Sequence, residues 1–145
     1  MGGHSWADAR GESRAAVVGT EFDLVISLFS RPGHGPGPGI DHLVAEIPDG
    51  PLTADQIHGV QQLALTAARA VRAGRVVLVR CKAGYNRSGL VVAQALVELG
   101  WETAGAVDTV RRKRSPFALN NRVFEEYLTA GLGVARLLVG LDPLS

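Results

Sequence analysis

Three short apolar runs along the chain predict the strands of a sheet. Residues 22–29 and 75–80 are rich in aliphatic and β-branched residues, and a shorter run covers residues 43–47. The interior of the run at 75–80 is wholly apolar, which is typical of a central strand covered on both faces. Residues 31–39 contain so many glycines and prolines that they predict a loop between the first two strands.

Helical periodicity fills most of the remaining chain. Thr53 and Gln56 have the spacing of a capping box, and the apolar residues that follow recur at helical spacing until Gly74 ends the helix. Residues 131–141 are apolar and predict either a short last helix or a tail on the core. The alternation of strands and helices indicates an α/β layer fold with helices on both faces of a mostly parallel sheet. Further helices are predicted at residues 88–99, 103–114 and 120–128.

Composition narrows the class of protein. The length of 145 residues and the 46% hydrophobic content predict a single domain over residues 1–145, in which the polar residues 1–20 form a loosely structured entry. A net charge of +1 gives no overall attraction to nucleic acid or a membrane surface. We therefore expect neither as a partner, and we expect a monomer.

Cysteine and histidine usage bears on cofactors and location. The single cysteine excludes an internal disulfide, which fits a reducing cytosol, and the four histidines lack the spacing of metal ligands. Residues 1–10 have no apolar core of a signal peptide, and no run of about 18 apolar residues occurs. We expect a cytoplasmic protein without a metal or organic cofactor.

The candidate chemistry lies between the strongest strand and the next helix, in Cys81-Lys82-Ala83-Gly84-Tyr85-Asn86-Arg87-Ser88. A turn at a helix N-terminus presents several backbone N–H groups and positive potential to a phosphate. Gly84 permits a backbone conformation that larger residues resist, and Arg87 adds a planar two-toothed donor. The same surroundings favour the thiolate of Cys81, which is the nucleophilic form. The loop therefore predicts both binding of a phosphate and attack on it.

This segment resembles the signature of the cysteine-based protein tyrosine phosphatases, in which Cys and Arg flank five residues (CX5R) and Ser or Thr follows. The short chain and the flanking pattern are similar to the dual-specificity branch, and the resemblance covers roughly residues 22–128. It implies a central, mostly parallel sheet of four to five strands flanked by helices. It also implies that Cys81 is the nucleophile, that Arg87 binds phosphate and stabilises the transition state, and that Ser88 assists the departing thiolate. The loop residues expected to contact substrate are Lys82, Ala83, Gly84, Tyr85, Asn86 and Arg87.

A leaving alkoxide or phenolate needs a proton, and a positioned carboxylic acid contributes about 10²–10⁴-fold to the rate. Three aspartates precede the loop: Asp41, Asp49 and Asp55. A carboxylate at Asp55 is explained by the helix dipole, whereas Asp49 lies in a Pro-Asp-Gly-Pro loop that could swing over the site. Its distance of 32 positions before Cys81 resembles the spacing in the dual-specificity branch. We therefore expect Asp49 to be the general acid.

Other features leave alternatives open. Arg80 stands where the family usually has His, and it either bonds to the loop, adds positive potential or reaches solvent. Lys82-Ala83-Gly84 is similar to phosphoinositide phosphatases, although Tyr85 replaces their second lysine. Asn86 before the Arg is similar to RNA 5′-triphosphatases, which lack a general acid.

The expected activity is hydrolysis of a phosphoprotein through a phosphocysteine, on phosphotyrosine and also on phosphoserine or phosphothreonine. The absence of a long aromatic recognition loop favours a shallow, tyrosine-tolerant site. The alternative from another class is a non-catalytic phosphate-binding module. The basic run at residues 111–114 is interpreted either as a solvated helix end or as a patch that attracts acidic substrates. Asn120 and Asn121 either cap the last helix or correspond to asparagines that the resembling family has in this part of the chain.

Overall fold

The computed structural model describes residues 1–141 and is built around a short parallel sheet. The sheet has the order β4-β3-β5, so the chain crosses over β3 between its two outer strands. In register, Leu24 pairs with both Asp41 and Val77. All four residues of β3 are buried, while β4 is exposed along its length and forms an edge. The sheet strands are β3 (Leu24–Ser27), β4 (Asp41–Val44) and β5 (Val77–Arg80).

Within residues 1–141, five helices follow the predicted order. They are α1 (Ala54–Arg72), α2 (Arg87–Glu98), α3 (Thr103–Lys113), α4 (Arg122–Ala130) and α5 (Leu132–Leu141). The capping box predicted at Thr53 and Gln56 is present, and the apolar residues 131–141 form a helix rather than a tail. Between residues 1 and 141, no helix combines the length and the apolar character needed to cross a membrane.

The α/β class and the flanking helices are confirmed, but the predicted count of four to five strands is wrong. In the described part of the chain, the parallel sheet has three strands, and two more strands, β1 (Ser5–Ala7) and β2 (Ser13–Ala15), form a separate antiparallel pair. The free edge of β5 is occupied by the extended N-terminal residues instead. The N–H of Gly2 donates to Val79 O (3.0 Å), and the N–H of Cys81 donates to Gly2 O (3.1 Å).

Residues 1–20 therefore are not the loosely structured entry that their polar composition predicted. They form a hairpin and continue the contact with β5, since the N–H of His4 donates to Lys82 O at 2.9 Å. Gly3 permits this approach because a Cβ there would lie 2.8 Å from the same oxygen. Backbone contacts of this kind leave no hydrophobic periodicity in the sequence.

The two faces of the sheet are covered differently. Leu24, Ile26 and Val79 belong to the main core, which is shared with helices α1 to α5. The opposite face carries Val25, Leu78 and, at the end of β5, Arg80. That end is covered by residues 2–4 and by the glycine-proline loop rather than by the helices expected on both faces. The consequence is a buried arginine immediately before Cys81.

Candidate active site

The loop from Cys81 to Arg87, called here the phosphate-binding loop, joins β5 to α2. Cys81 is 2% exposed, and its sulfur lies 3.3 Å from the donating N–H of Gly84 and 3.4 Å from Ser88 Oγ. Helix α2 begins at Arg87, and its first N–H groups have no acceptors within the helix. Hydrogen-bond donors and the positive end of a helix therefore surround the sulfur.

Gly84 is required by the shape of this loop. Its φ is +79°, in the left-handed region that residues with a Cβ rarely adopt. A Cβ there would also lie 2.5 Å from the carbonyl carbon of Gly2 and 2.6 Å from the nitrogen of Gly3. The N-terminal residues thus pack directly against the loop and support its turn.

Arg87 has a buried guanidinium nitrogen without a hydrogen-bond partner among the described residues. Its Nη1 donates to Ile47 O at 3.1 Å, and its guanidinium carbon lies 5.8 Å from the ring centroid of Phe29. Its Nε is buried and finds no acceptor among residues 1–141. A buried donor left unpaired costs about 1–3 kcal/mol, so this geometry suits an anion that would accept from it.

Ser88 is the second residue of α2 and is fully buried. It is not the cap of α2, since the N-cap position belongs to Asn86, which makes no side-chain cap bond. The hydroxyl of Ser88 faces the sulfur of Cys81 instead, at a distance from which it can donate to a thiolate.

Of the three candidate acids, Asp49 is hydrogen-bonded to the phosphate-binding loop. Its Oδ2 accepts from Asn86 Nδ2 at 3.2 Å, and its Oδ1 accepts from Asn121 Nδ2 at 2.7 Å. Asp41 lies at the amino end of β4 and pairs with Arg75 at 2.7 Å, at the far end of the sheet from Cys81. Asp55 lies in the first turn of α1.

The remaining loop residues differ in exposure. Lys82 and Ala83 are exposed, whereas Tyr85 and Asn86 are half-buried. Gly84 is buried, and its carbonyl oxygen accepts from Arg114. The exposed side chains of the loop are therefore those that directly follow Cys81.

Arg114 is a residue whose contact with the loop the sequence did not reveal. It donates from Nε to Gly84 O (3.1 Å) and from Nη2 to Ala83 O (3.4 Å), and its guanidinium carbon lies 5.1 Å from the Tyr85 ring centroid. Within the same basic run, Arg111 donates to the carbonyls of Ala118 and Leu119. The run is therefore not merely a solvated helix end. The sequence showed that Arg114 stands at the end of a predicted helix, but it did not show that Arg114 contacts the phosphate-binding loop.

Arg80 does not reach solvent. It is 1% exposed, and burial lowers the pKa of its guanidinium. Its Nη1 donates to the carbonyl of His34 (3.0 Å), and its Nη2 donates to those of Gly3 (3.2 Å) and Ala16 (2.7 Å). Over the described residues it has no carboxylate partner, and its Nε is buried without an acceptor, so neutral acceptors compensate its charge.

His4 completes this buried cluster. Its Nε2 lies 2.8 Å from the carbonyl oxygen of Phe29, which can only accept, so Nε2 carries the proton. Its Nδ1 then accepts from Arg80 Nη2 at 3.2 Å. Burial, and secondarily the charge of Arg80, lowers the pKa of His4. The cluster holds the N-terminal residues and the end of β3 beside the strand that leads to Cys81.

Across the described part of the chain, no three His, Cys, Asp or Glu side chains lie close enough together to hold a metal ion. The polar groups at hydrogen-bond distance from the Cys81 sulfur are the N–H of Gly84 and the hydroxyl of Ser88.

Comparison with family models and with curated proteins gives no match. Comparison with solved structures does. A single-residue variant of human DUSP28 is 30% identical, with 75% of this chain and 79% of that chain covered and a TM-score of 0.59. Tk-PTP in its active form is 29% identical (75% and 77% covered, TM-score 0.58). A mouse putative dual specificity phosphatase complexed with zinc tungstate is 26% identical (83% and 75% covered, TM-score 0.59).

These likenesses extend over most of both chains and agree with the loop built on Cys81 and Arg87. The chain belongs to the cysteine-based protein tyrosine phosphatase superfamily, in its dual-specificity branch.

Proposed function

We propose that this phosphatase hydrolyses phosphate monoesters of phosphoproteins, phosphotyrosine foremost, through a phosphocysteine on Cys81. The observation that carries the proposal is the unpartnered, buried Nε of Arg87 in a loop whose cysteine sulfur accepts from the N–H of Gly84 and lies 3.4 Å from the hydroxyl oxygen of Ser88. A phosphoryl group in this loop would accept from Arg87 and from the first N–H groups of α2. Its phosphorus would then face the sulfur.

In the first step, the Cys81 thiolate attacks phosphorus. An S–P bond forms as the ester P–O bond breaks, and the carboxyl of Asp49 transfers its proton to the departing oxygen. Arg87 stabilises the charge on the equatorial oxygens. The hydrogen bonds from Asn86 and Asn121 support this role for Asp49, because they keep its carboxylate beside the loop.

In the second step, water attacks the phosphocysteine. Asp49, now ionised, takes a proton from the water as the new O–P bond forms and the S–P bond breaks. Ser88 donates to the sulfur as it leaves as thiolate, and its 3.4 Å distance supports this role. The products are inorganic phosphate and the original thiolate.

The preference for phosphotyrosine rests on the walls of the site. Phe29, half-buried beside Arg87, offers an aromatic surface to a phenyl ring. The loop at residues 31–39 contains no Phe, Tyr or Trp to deepen the pocket. We therefore expect phosphoserine and phosphothreonine to be accepted at lower rates.

Hydrolysis of p-nitrophenyl phosphate in the presence of EDTA tests the reaction. We expect turnover by the wild type, none by Cys81→Ser, and a large loss in Arg87→Lys because an ammonium lacks the two-toothed geometry. No turnover by the folded wild type would favour a non-catalytic binding module. Phosphotyrosine and phosphothreonine peptides, a phosphoinositide and a 5′-triphosphorylated RNA, assayed side by side, test the substrate class. Faster turnover of the lipid or the RNA would contradict it.

A further inference from the structure

Asn86 occupies the N-cap position of α2, where an asparagine ordinarily accepts a hydrogen bond from the first turn of the helix. Its side chain makes no such bond. Instead, its Nδ2 donates to Asp49 Oδ2 (3.2 Å) and to Asn120 Oδ1 (2.8 Å), and its Oδ1 accepts from the N–H of Asn121 at 3.0 Å. These three hydrogen bonds all go to residues outside α2.

The orientation of these amides follows from their partners. A backbone N–H can only donate, so the group that faces Asn121 N must be the oxygen of Asn86, which leaves its NH2 toward Asp49. The oxygen of Asn121 likewise accepts from the N–H of Val123, which leaves its NH2 toward the other carboxylate oxygen. Both amides therefore present donors to Asp49.

The same residues join three separate segments. Asn86 belongs to the phosphate-binding loop, Asp49 to the acid loop (residues 48–51), and Asn120 and Asn121 to the turn before α4. A second tie reinforces the first, because Arg87 donates to the carbonyl of Ile47, the residue before the acid loop. The acid loop is thus tied to the phosphate-binding loop on both sides of Pro48.

We propose that Asn86 is a positioning residue for the general acid: its side chain holds Asp49 over the phosphate-binding loop before substrate arrives. The acid loop then needs little rearrangement to protonate the leaving group, and Asn120 braces the Asn86 amide in this orientation. This inference rests on the proposed role of Asp49 as general acid.

The dependence of rate on the leaving group distinguishes acid positioning from a general defect. Phenolate from phenyl phosphate is a strong base and needs a proton, whereas p-nitrophenolate leaves without much help. Acid catalysis contributes about 10²–10⁴-fold, so partial misplacement of the acid is expected to remove about tenfold. Hydrolysis of the phosphocysteine is common to both substrates, so the comparison uses kcat/KM, which reports only the steps up to departure of the leaving group. We expect Asn86→Ala to lower kcat/KM for phenyl phosphate about tenfold more than kcat/KM for p-nitrophenyl phosphate.

This ratio of two kcat/KM values does not depend on the fraction of enzyme that is folded. Asn120→Ala should shift this ratio in the same direction but less, because the substitution removes only the hydrogen bond that orients the Asn86 amide. Gln94→Ala is the matched control. It truncates another side-chain amide on α2, one that donates to Glu98 and lies away from the acid loop, and it should leave the ratio unchanged.

A double-mutant cycle with Asp49→Asn completes the test. If Asn86 acts through the acid, Asn86→Ala should leave the ratio unaltered once Asp49 is replaced. An equal loss on both substrates, or a shift of the ratio that persists in the Asp49→Asn background, would overturn the positioning role of Asn86. The assignment of Asp49 as the acid would still stand. If Asp49→Asn itself fails to slow phenyl phosphate selectively, the assignment of the acid falls, and the inference about Asn86 with it.

Discussion

Replacement of the buried Arg80 by alanine should destabilise the fold strongly. The change removes the donor of three carbonyl oxygens, those of Gly3, Ala16 and His34, which join the N-terminal residues and the glycine-proline loop to β5. An unsatisfied buried acceptor costs about 1–3 kcal/mol. Two of the three bonds are only partly buried, so water can replace part of the loss. We expect the free energy of unfolding to fall by about 3 kcal/mol, a large part of the roughly 5–15 kcal/mol of a typical domain.

Urea unfolding followed by circular dichroism measures this loss. Arg72→Ala is the matched control, because Arg72 donates to a single carbonyl, that of Glu98, at the surface, and its loss should stay within about 0.5 kcal/mol. Arg80→Met retains much of the volume without the donors, and it should lose nearly as much stability as Arg80→Ala. A loss below about 1 kcal/mol in both Arg80 variants would refute the reasoning that these carbonyls depend on Arg80.

Further outcomes are expected elsewhere in the molecule. Because burial lowers the pKa of His4, the folded protein resists its protonation. Stability is then full above the ordinary histidine pKa of about 6.5 and decreases as the pH falls through it. The urea midpoints measured at about pH 7.5 and pH 5.5 should differ less in His4→Gln than in the wild type. An unchanged difference would argue against His4 as a source of the pH-dependent loss of stability. Gly84→Ala should abolish phosphatase activity and lower the thermal midpoint, since its Cβ would overlap the backbone of Gly2; normal activity would contradict this packing. Asp49→Ala should lower kcat on phenyl phosphate by about 10²-fold or more and flatten one arm of the pH–rate profile, and full activity would exclude Asp49 as the acid.

The sequence predicted those parts of the molecule that depend on neighbouring residues. The runs at residues 22–29 and 75–80 contain β3 and β5, and helices α1 to α4 begin and end within a few residues of their predicted bounds. The second strand was displaced: Asp41–Val44 pairs with β3, whereas Ala45 and Ile47 each donate one backbone hydrogen bond, to Ser27 and to Leu28 respectively. Periodicity reports burial, and this exposed edge strand has little.

The phosphate-binding loop could be read because its residues are contiguous. The contacts that support it could not, because each joins segments far apart in the chain. Arg80 finds its acceptors at residues 3, 16 and 34, and Arg114 finds its own at residues 83 and 84. Asn86 looks like a plain loop residue until Asp49 and Asn121 are brought beside it. Long-range pairing of polar groups leaves no periodic trace in a single sequence.

Direct observation of the phosphocysteine tests the central claim that Cys81 is the nucleophile. Ser88→Ala should slow release of the thiolate, so the covalent intermediate accumulates during turnover of p-nitrophenyl phosphate. Intact mass spectrometry after acid quenching should show a gain of one phosphoryl group, and the gain should disappear when Cys81→Ser is added. A Cys81→Ser enzyme that still hydrolyses the ester, together with no covalent adduct in Ser88→Ala, would contradict the account.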